Sequence, residues 1–198
     1  MVAAEADAAE RARWWETTAG LNPAQVVFID ESGTNVTATP RYGWAPKGRR
    51  ARGAAPRNYD QNTTLVAALT SQGISGSLSF PGALDSEAFD LFLDRVLVPH
   101  LVPGQTVVMD NLSVHRRASV RTRIEAAACA LVYLPAYSPD FNPIEHAFSK
   151  LKTYLRRVEA RTQDALNAAL STGIAMITPA DAQGWIRHCG YALPRQPL

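Results

Sequence analysis

Cysteine is scarce in this chain, and so is lysine. Cys129 and Cys189 are the only cysteines; they lie far apart and form no CxxC. That predicts free thiols, with neither a disulfide framework nor a cysteine zinc site. The histidines His100, His115, His146 and His188 include no pair at zinc-finger spacing. No apolar run approaches the roughly 20 residues that a bilayer span requires. The N-terminus, Met1 to Asp7, is acidic where a secretory signal would be basic, and no apolar segment follows it. These absences predict a cytoplasmic protein with no membrane partner. Internal repeats and low-complexity linkers are also missing.

What is present suits one domain of ordinary composition. The 198 residues are 46% hydrophobic and 19% charged, enough for a real core. The net charge of +2 is too small to argue for a nucleic-acid partner, but its distribution says more. Residues 41–57 hold Arg41, Lys47, Arg49, Arg50, Arg52 and Arg57 with no acid among them. His115, Arg116, Arg117, Arg121 and Arg123 form a second acid-free cluster, and the stretch after Glu145 adds Lys150, Lys152, Arg156, Arg157 and Arg161. Arginine outnumbers lysine by 17 to 3. Arginine suits bidentate phosphate contacts, although a GC-rich genome gives the same bias.

Periodicity predicts a short polar helix over 5–19, then a buried strand at Val26–Asp30. Ser32-Gly33 reads as a turn into a second strand near Thr34–Thr39, followed by an exposed Gly/Pro/Arg segment to Asp60. Strands follow at Thr63–Thr70 and Gly76–Phe80. Asp85 reads as a helix cap, Thr106–Asp110 as a strand, 116–128 as a basic helix and Ala130–Tyr133 as a strand. Asn142 reads as the cap of a helix with Pro143 at its first position, running to about Val158. Thr162 and Thr178 cap two more, the last ended by Gly190, and Pro194–Leu198 reads as a frayed tail. Strands first, then alternation, predict an α/β fold: a mixed sheet with helices on both faces.

Three acids stand out. Asp30 and Asp110 each close an apolar run, and Glu145 sits just inside a predicted helix. A carboxylate at the end of a buried strand is costly unless it binds something, and hard oxygen ligands suit Mg²⁺. Two such ions could supply what phosphodiester hydrolysis needs, with Asp30 bridging them on the most central strand and Asp110 and Glu145 each holding one. Each acid also has a structural alternative. Asp30 could accept backbone N–H bonds, Asp110-Asn111 could form a turn, and Glu145 could close a capping box with Asn142.

The strings FIDESG (28–33), YGWAPKG (42–48), VVMDNLSVH (107–115) and LPAYSPDFNPIEHAFSKLK (134–152) resemble the DDE transposases of the mariner superfamily, in their bacterial insertion-sequence branch. The resemblance spans about residues 20–175. Its last motif is highly specific, and so is the spacing of 34 residues between Asp110 and Glu145. It implies a ribonuclease-H-like fold over 23–176, with a helix or linker remnant at 1–22 and a C-terminal helix and tail at 177–198. It carries the catalytic, metal-holding triad onto Asp30, Asp110 and Glu145, with Mg²⁺ or Mn²⁺ as two ions. Asn111, His115 and Asn142 become residues that orient the acids or shape their loops. The DNA-binding candidates are Arg41, Lys47, Arg49, Arg50, Arg52, Arg116, Arg117, Lys150 and Lys152.

The implied activity is DNA cleavage and strand transfer on double-stranded transposon ends and a TA target, in a homodimer or synaptic complex at a bacterial nucleoid. Phe148 stands where many relatives have Trp. Relatives also carry an N-terminal helix-turn-helix region, whereas about 25 residues precede the first strand here. End recognition is therefore expected from a separately encoded region.

Two other functions compete. A haloacid-dehalogenase-type phosphatase would use Asp30 in a DxDxT motif, but Ser32 stands where its second Asp is required. A catalytically silent fragment that binds DNA or dimerises as a regulator needs no intact triad.

Overall fold

The computed structural model describes residues 4–40, 42–54, 56 and 62–191. Among the described residues five strands form one sheet: β1 (Val26–Thr34), β2 (Thr63–Thr70), β3 (Gly73–Pro81), β4 (Thr106–Met109) and β5 (Ala130–Tyr133), in the order β3-β2-β1-β4-β5. β1, β2 and β3 pair antiparallel; β1, β4 and β5 pair parallel. The sheet is mixed, as the order of elements predicted, and β1 lies at its centre.

Side chains alternate across this sheet with a period of two. Val26, Phe28, Leu65, Ala67, Leu69 and Val108 point to one face. Val27, Ile29, Val66, Ala68, Val107 and Met109 point to the other. The first face is covered by α1 (Ala8–Thr18), α4 (Ile144–Val158), α5 (Gln163–Ala175) and α6 (Pro179–His188). The second is covered by α2 (Ser86–Phe92) and α3 (Ala118–Ala126). Central strands buried on both sides explain why Thr63–Thr70 and Thr106–Met109 read as nearly unbroken apolar runs.

α4 is placed by an apolar stripe, Ile144, Ala147, Phe148, Leu151 and Leu155, at helical spacing. Full burial of such a side chain stabilises the fold by roughly 1.5–3 kcal/mol. Behind it, α5 comes close at Gly173, where an added Cβ would lie 2.4 Å from Leu151 Cδ1. α1 and α6 join the same core through Trp14, Ala182, Ile186 and Cys189. Trp14 and Leu21 from the N-terminal segment and Ile177 to Tyr191 from the C-terminal one thus share one core with the region between them. Both cysteines are buried free thiols. Among the described residues no helix is long and apolar enough to cross a membrane.

Three local expectations change. Ser32-Gly33 is no turn: β1 continues to Thr34, with Ser32 opposite Leu65 and Gly33 opposite Thr64, and no strand follows at 35–39. The ladder offered by β2 outweighs a local turn preference. The helix expected over 116–128 is the shorter Ala118–Ala126, with Arg117 as its cap residue. Asn142 does not cap α4; Pro143 occupies that position, and no side chain bonds the free N–H groups there. The caps expected at Asp85, Thr162 and Thr178 are present, the last as a capping box with Asp181. The tail 194–198 lies outside the described residues.

Candidate active site

The parallel β1–β4 ladder ends at the pair Ile29–Met109. Asp30 and Asp110 are the next residue on each strand, side by side at the carboxyl ends, where open α/β sheets gather ligands. Asp110 lies past the end of its strand. Asp30 does not, because β1 runs on and pairs Asp30 with Ala67 of β2. α4 brings Glu145 in its first turn to the same place. A cleft of about 660 Å³ is lined by Asp30, Asp110 and Glu145, with Glu31, Asn111 and Asn142 beside them.

Asp30 is only 8% exposed. Its Oδ1 accepts the Glu31 N–H at 2.8 Å, and its Oδ2 accepts the Asn142 side-chain N–H at 2.8 Å. Burial pushes its pKa up to about 8, helped by the charges of Glu31, Glu145 and Asp110 and opposed by the Glu31 N–H. The backbone-capping alternative for Asp30 holds in part, since one N–H does bond it. Asn142 is 2% exposed, and its other side-chain atom, Oδ1, has no partner. With Asn142 committed to Asp30, the capping box with Glu145 does not form, and Glu145 projects into the cleft at the positive end of α4.

Asp110 is held differently. Its Oδ1 accepts the Leu112 N–H at 2.9 Å, so the turn reading is also correct, and it meets His115 Nδ1 at 2.6 Å. Burial raises its pKa, but the His115 hydrogen bond, the Leu112 N–H and the His115 charge together leave it below the usual carboxylate value. His115 is fully buried and lies against the Phe89 ring at 4.6 Å. Its Nε2 faces Glu31 Oε2 at 3.7 Å, too far for a hydrogen bond, and neither atom has another partner. Asn111 donates to the Leu134 carbonyl, and the Leu134 N–H bonds the Met109 carbonyl at 2.9 Å. The β4–β5 connection therefore continues past the strand ends and fixes the loop that carries Asn142.

Sequence reasoning passed over three contributors. Glu31 follows Val27 and Ile29 to the other face of the sheet and reaches the cleft from there; burial, chiefly, raises its pKa. The acid beside Asp30 was its only signal. Arg11 of α1 forks onto Asp140 at 2.6 and 2.9 Å, donates to Ser138 Oγ at 2.8 Å and lies 3.9 Å over Phe141. No local pattern links Arg11 to a loop more than 120 residues away. Tyr137 lines the cleft with its ring exposed.

The basic candidates are scattered. Arg41 lies outside the described residues. Lys47, Arg49, Arg50 and Arg52 lie on an exposed irregular segment, and Arg116 is also exposed. Arg117 is turned inward onto Asp90 at 2.6 Å and onto the Ser86 and Val114 carbonyls, tying α2 to α3. Lys150 bonds Asp181 at 2.6 Å and the Met176 carbonyl, in a second cleft between α4 and α6. Lys152 is half-buried, two turns along α4 from Glu145.

The donor set suits a hard divalent cation: every side-chain atom offered is an oxygen. Asp30 is a carboxylate that burial and neighbouring acids hold toward its protonated form, a conflict that a cation would remove. Among the described residues no three His, Cys, Asp or Glu side chains make a ready-made cage. Mg²⁺ takes one or two carboxylates and completes its shell with water and phosphate.

Comparison with known proteins shows the family and the fold. A family model described as DDE superfamily endonuclease matches residues 25–167. No curated protein matches the sequence. Among solved structures, the Mos1 mariner paired end complex with Mn superposes with a TM-score of 0.74 at 16% identity, over 96% of this chain and 62% of that one. The Mos1 strand transfer complex gives 0.70 at 19% identity, over 90% and 54%. The catalytic domain of Mos1 mariner transposase gives 0.67 at 16% identity, over 96% and 92%. The chain thus spans 54% and 62% of the proteins in those two complexes, and nearly all of the isolated domain. The fold is ribonuclease-H-like, and the chain belongs to the DDE superfamily endonucleases.

Proposed function

We propose that this chain is the catalytic part of a transposase. In this reading it cuts double-stranded DNA at transposon ends and transfers the cut strand to a target, using Asp30, Asp110 and Glu145 as a metal-holding triad. The observation that carries the reading is the charge conflict in the cleft: a buried Asp30 beside three other acids, with its pKa at about 8. Buried, mutually repelling carboxylates gathered in a cleft mark a functional-site candidate.

The residues divide the work. Asp30, on the central strand among Glu31, Asp110 and Glu145, would hold the cations together with Asp110 and Glu145. Asp110 has one oxygen saturated by Leu112 and His115, which leaves Oδ2 for a cation. Glu145 carries no side-chain cap and is free to complete the site from the helix side. Asn142 holds Asp30 Oδ2 in place. Bound there, Mg²⁺ or Mn²⁺ would activate an attacking water or hydroxyl and offset the charge that builds on the phosphate.

The DNA backbone would be followed by Lys47, Arg49, Arg50, Arg52, Arg116 and Lys152, through phosphate contacts that carry no sequence information. Arg117 and Lys150 serve chiefly as struts. The mariner relatives above, described as a paired end and a strand transfer complex, support assembly on two DNA ends as a homodimer or synaptic complex. A TA target and an origin in a bacterial insertion sequence belong to the same reading.

Titration calorimetry tests the metal half of this proposal. Mg²⁺ should bind weakly alone and at least about tenfold tighter with a short duplex, because phosphate oxygens complete its shell. Asp110→Asn should remove both signals. Zn²⁺-selective binding, or equal Mg²⁺ affinity with and without DNA, would contradict it.

A further inference from the structure

Tyr137 is anomalous on three counts. Its ring is 62% exposed, although Leu134 and Phe141 on the same loop are buried in the core. Its backbone is left-handed, with φ +54°, a conformation that a bulky residue rarely adopts. And it lines the acidic cleft together with Leu112, Leu134, Pro135, Ala136 and Pro139. The floor of the cleft is polar; this wall is apolar.

The conformation is imposed from both sides. Upstream, Leu134 is tied to β4 through Met109 and to Asn111. Downstream, Ser138 Oγ accepts from Arg11 and donates to the Ala136 carbonyl, and the Ser138 carbonyl accepts the Phe141 N–H at 3.1 Å. A loop pinned at both ends sustains a strained residue between them, and such strain collects where a side chain is being aimed. Here it holds an exposed aromatic ring on the lining of the cleft, where Leu112 is likewise exposed.

We propose that Tyr137 is a stacking platform for one unpaired nucleobase next to the phosphate held over Asp30, Asp110 and Glu145. The inference rests on the reading that the cleft works on DNA, and it deepens that reading. A phosphate seated among carboxylates and cations fixes the backbone, but its neighbouring base must leave the helical stack for a single strand to enter a cleft of this size. Every base has a π-face, so an aromatic ring receives it without regard to sequence. Tyr137 is then a positioning residue: it touches the substrate beside the reacting phosphate and holds it in register.

The test uses the full chain, in Mg²⁺, and a short duplex with a single-stranded overhang whose first unpaired base is 2-aminopurine. The parent and Tyr137→Phe should quench the probe on binding, because the ring is kept. Tyr137→Asn should bind the labelled duplex but leave the probe bright. Asn tolerates the left-handed backbone, so this variant should melt no lower than the parent. Nicking should fall by roughly tenfold or more in Tyr137→Asn and little in Tyr137→Phe, the loss expected for one stacked base. On a substrate lacking that base, parent and Tyr137→Asn should become equal, which a purely structural role would not produce.

Full quenching by Tyr137→Asn, or loss of quenching in Tyr137→Phe, would overturn the proposal. Quenching by the parent without nicking would support stacking and count against cleavage. Nicking by Tyr137→Asn at the parent rate would remove Tyr137 and leave the cleavage reading intact.

Discussion

Asp30→Asn should make the metal-free protein more stable at pH 7 while abolishing its nuclease activity. The folded-state pKa of Asp30 is raised, from an ordinary 3.8 to about 8, by burial first and then by neighbouring acids. A raised carboxylate contributes stability that is whole below its unfolded pKa and is lost as pH rises toward the folded value. In this window, about pH 4 to 8, the native state binds a proton that the unfolded chain has given up. Each pH unit is about 1.4 kcal/mol, so at pH 7 the penalty approaches 4 kcal/mol, and we expect roughly 2–4 kcal/mol to be recovered.

Asn carries no charge, fits the same volume and can donate to the unpaired Oδ1 of Asn142 once that amide reorients. The melting temperature should rise by roughly 5–15 °C at pH 7 and hardly at all at pH 4. Mg²⁺ should stabilise the parent and not the variant. Asp110 does not confuse the measurement, because its lowered pKa acts on the opposite side: its contribution is lost as pH falls below the ordinary carboxylate value. An unchanged or lower melting temperature for Asp30→Asn at pH 7 would show that the buried acid is not in conflict with its surroundings.

Glu145→Gln separates two roles for one residue. The structure has no cap bond at the start of α4, so little stability depends on the Glu145 side chain. Gln keeps its size and loses the charge at a helix N-terminus, which costs about 1 kcal/mol at most, and it relieves some of the repulsion on Asp30. Nicking should fall by roughly two to three orders of magnitude, as when a group stabilising transition-state charge is removed. A thermal melt and a plasmid assay on the same preparation decide the matter. Activity at the parent rate would take Glu145 out of the active site.

Much of this site was legible in the sequence because it is built from strand ends. Apolar runs that stop at an acid reveal the strand and mark the acid: Asp110 just past the end of β4, and Asp30 where β1 outruns its parallel pairing with β4. Thr63–Thr70 and Ala130–Tyr133 were likewise marked by β-branched and apolar composition, and Thr162 and Thr178 by their cap chemistry. What was not legible depends on contacts distant in the chain. Ser32-Gly33 looks like a turn until β2 is there to pair with it. Asn142 looks like a helix cap until Asp30, far off in sequence, competes for its amide. Arg11 has no local signal at all. Tyr137 is one aromatic in a proline-rich loop, and only the folded backbone shows that its ring faces outward.

The central claim is that the acidic cleft cuts DNA with divalent metal. Relaxation of a supercoiled plasmid by the full chain tests it most directly, in Mg²⁺ or Mn²⁺, in EDTA, and with an end-binding region supplied. Nicked circles should appear with either metal, vanish in EDTA, and be missing for Asp110→Asn. Plasmid that stays supercoiled in both metals with the end-binding region present, or that is nicked equally in EDTA, would contradict it.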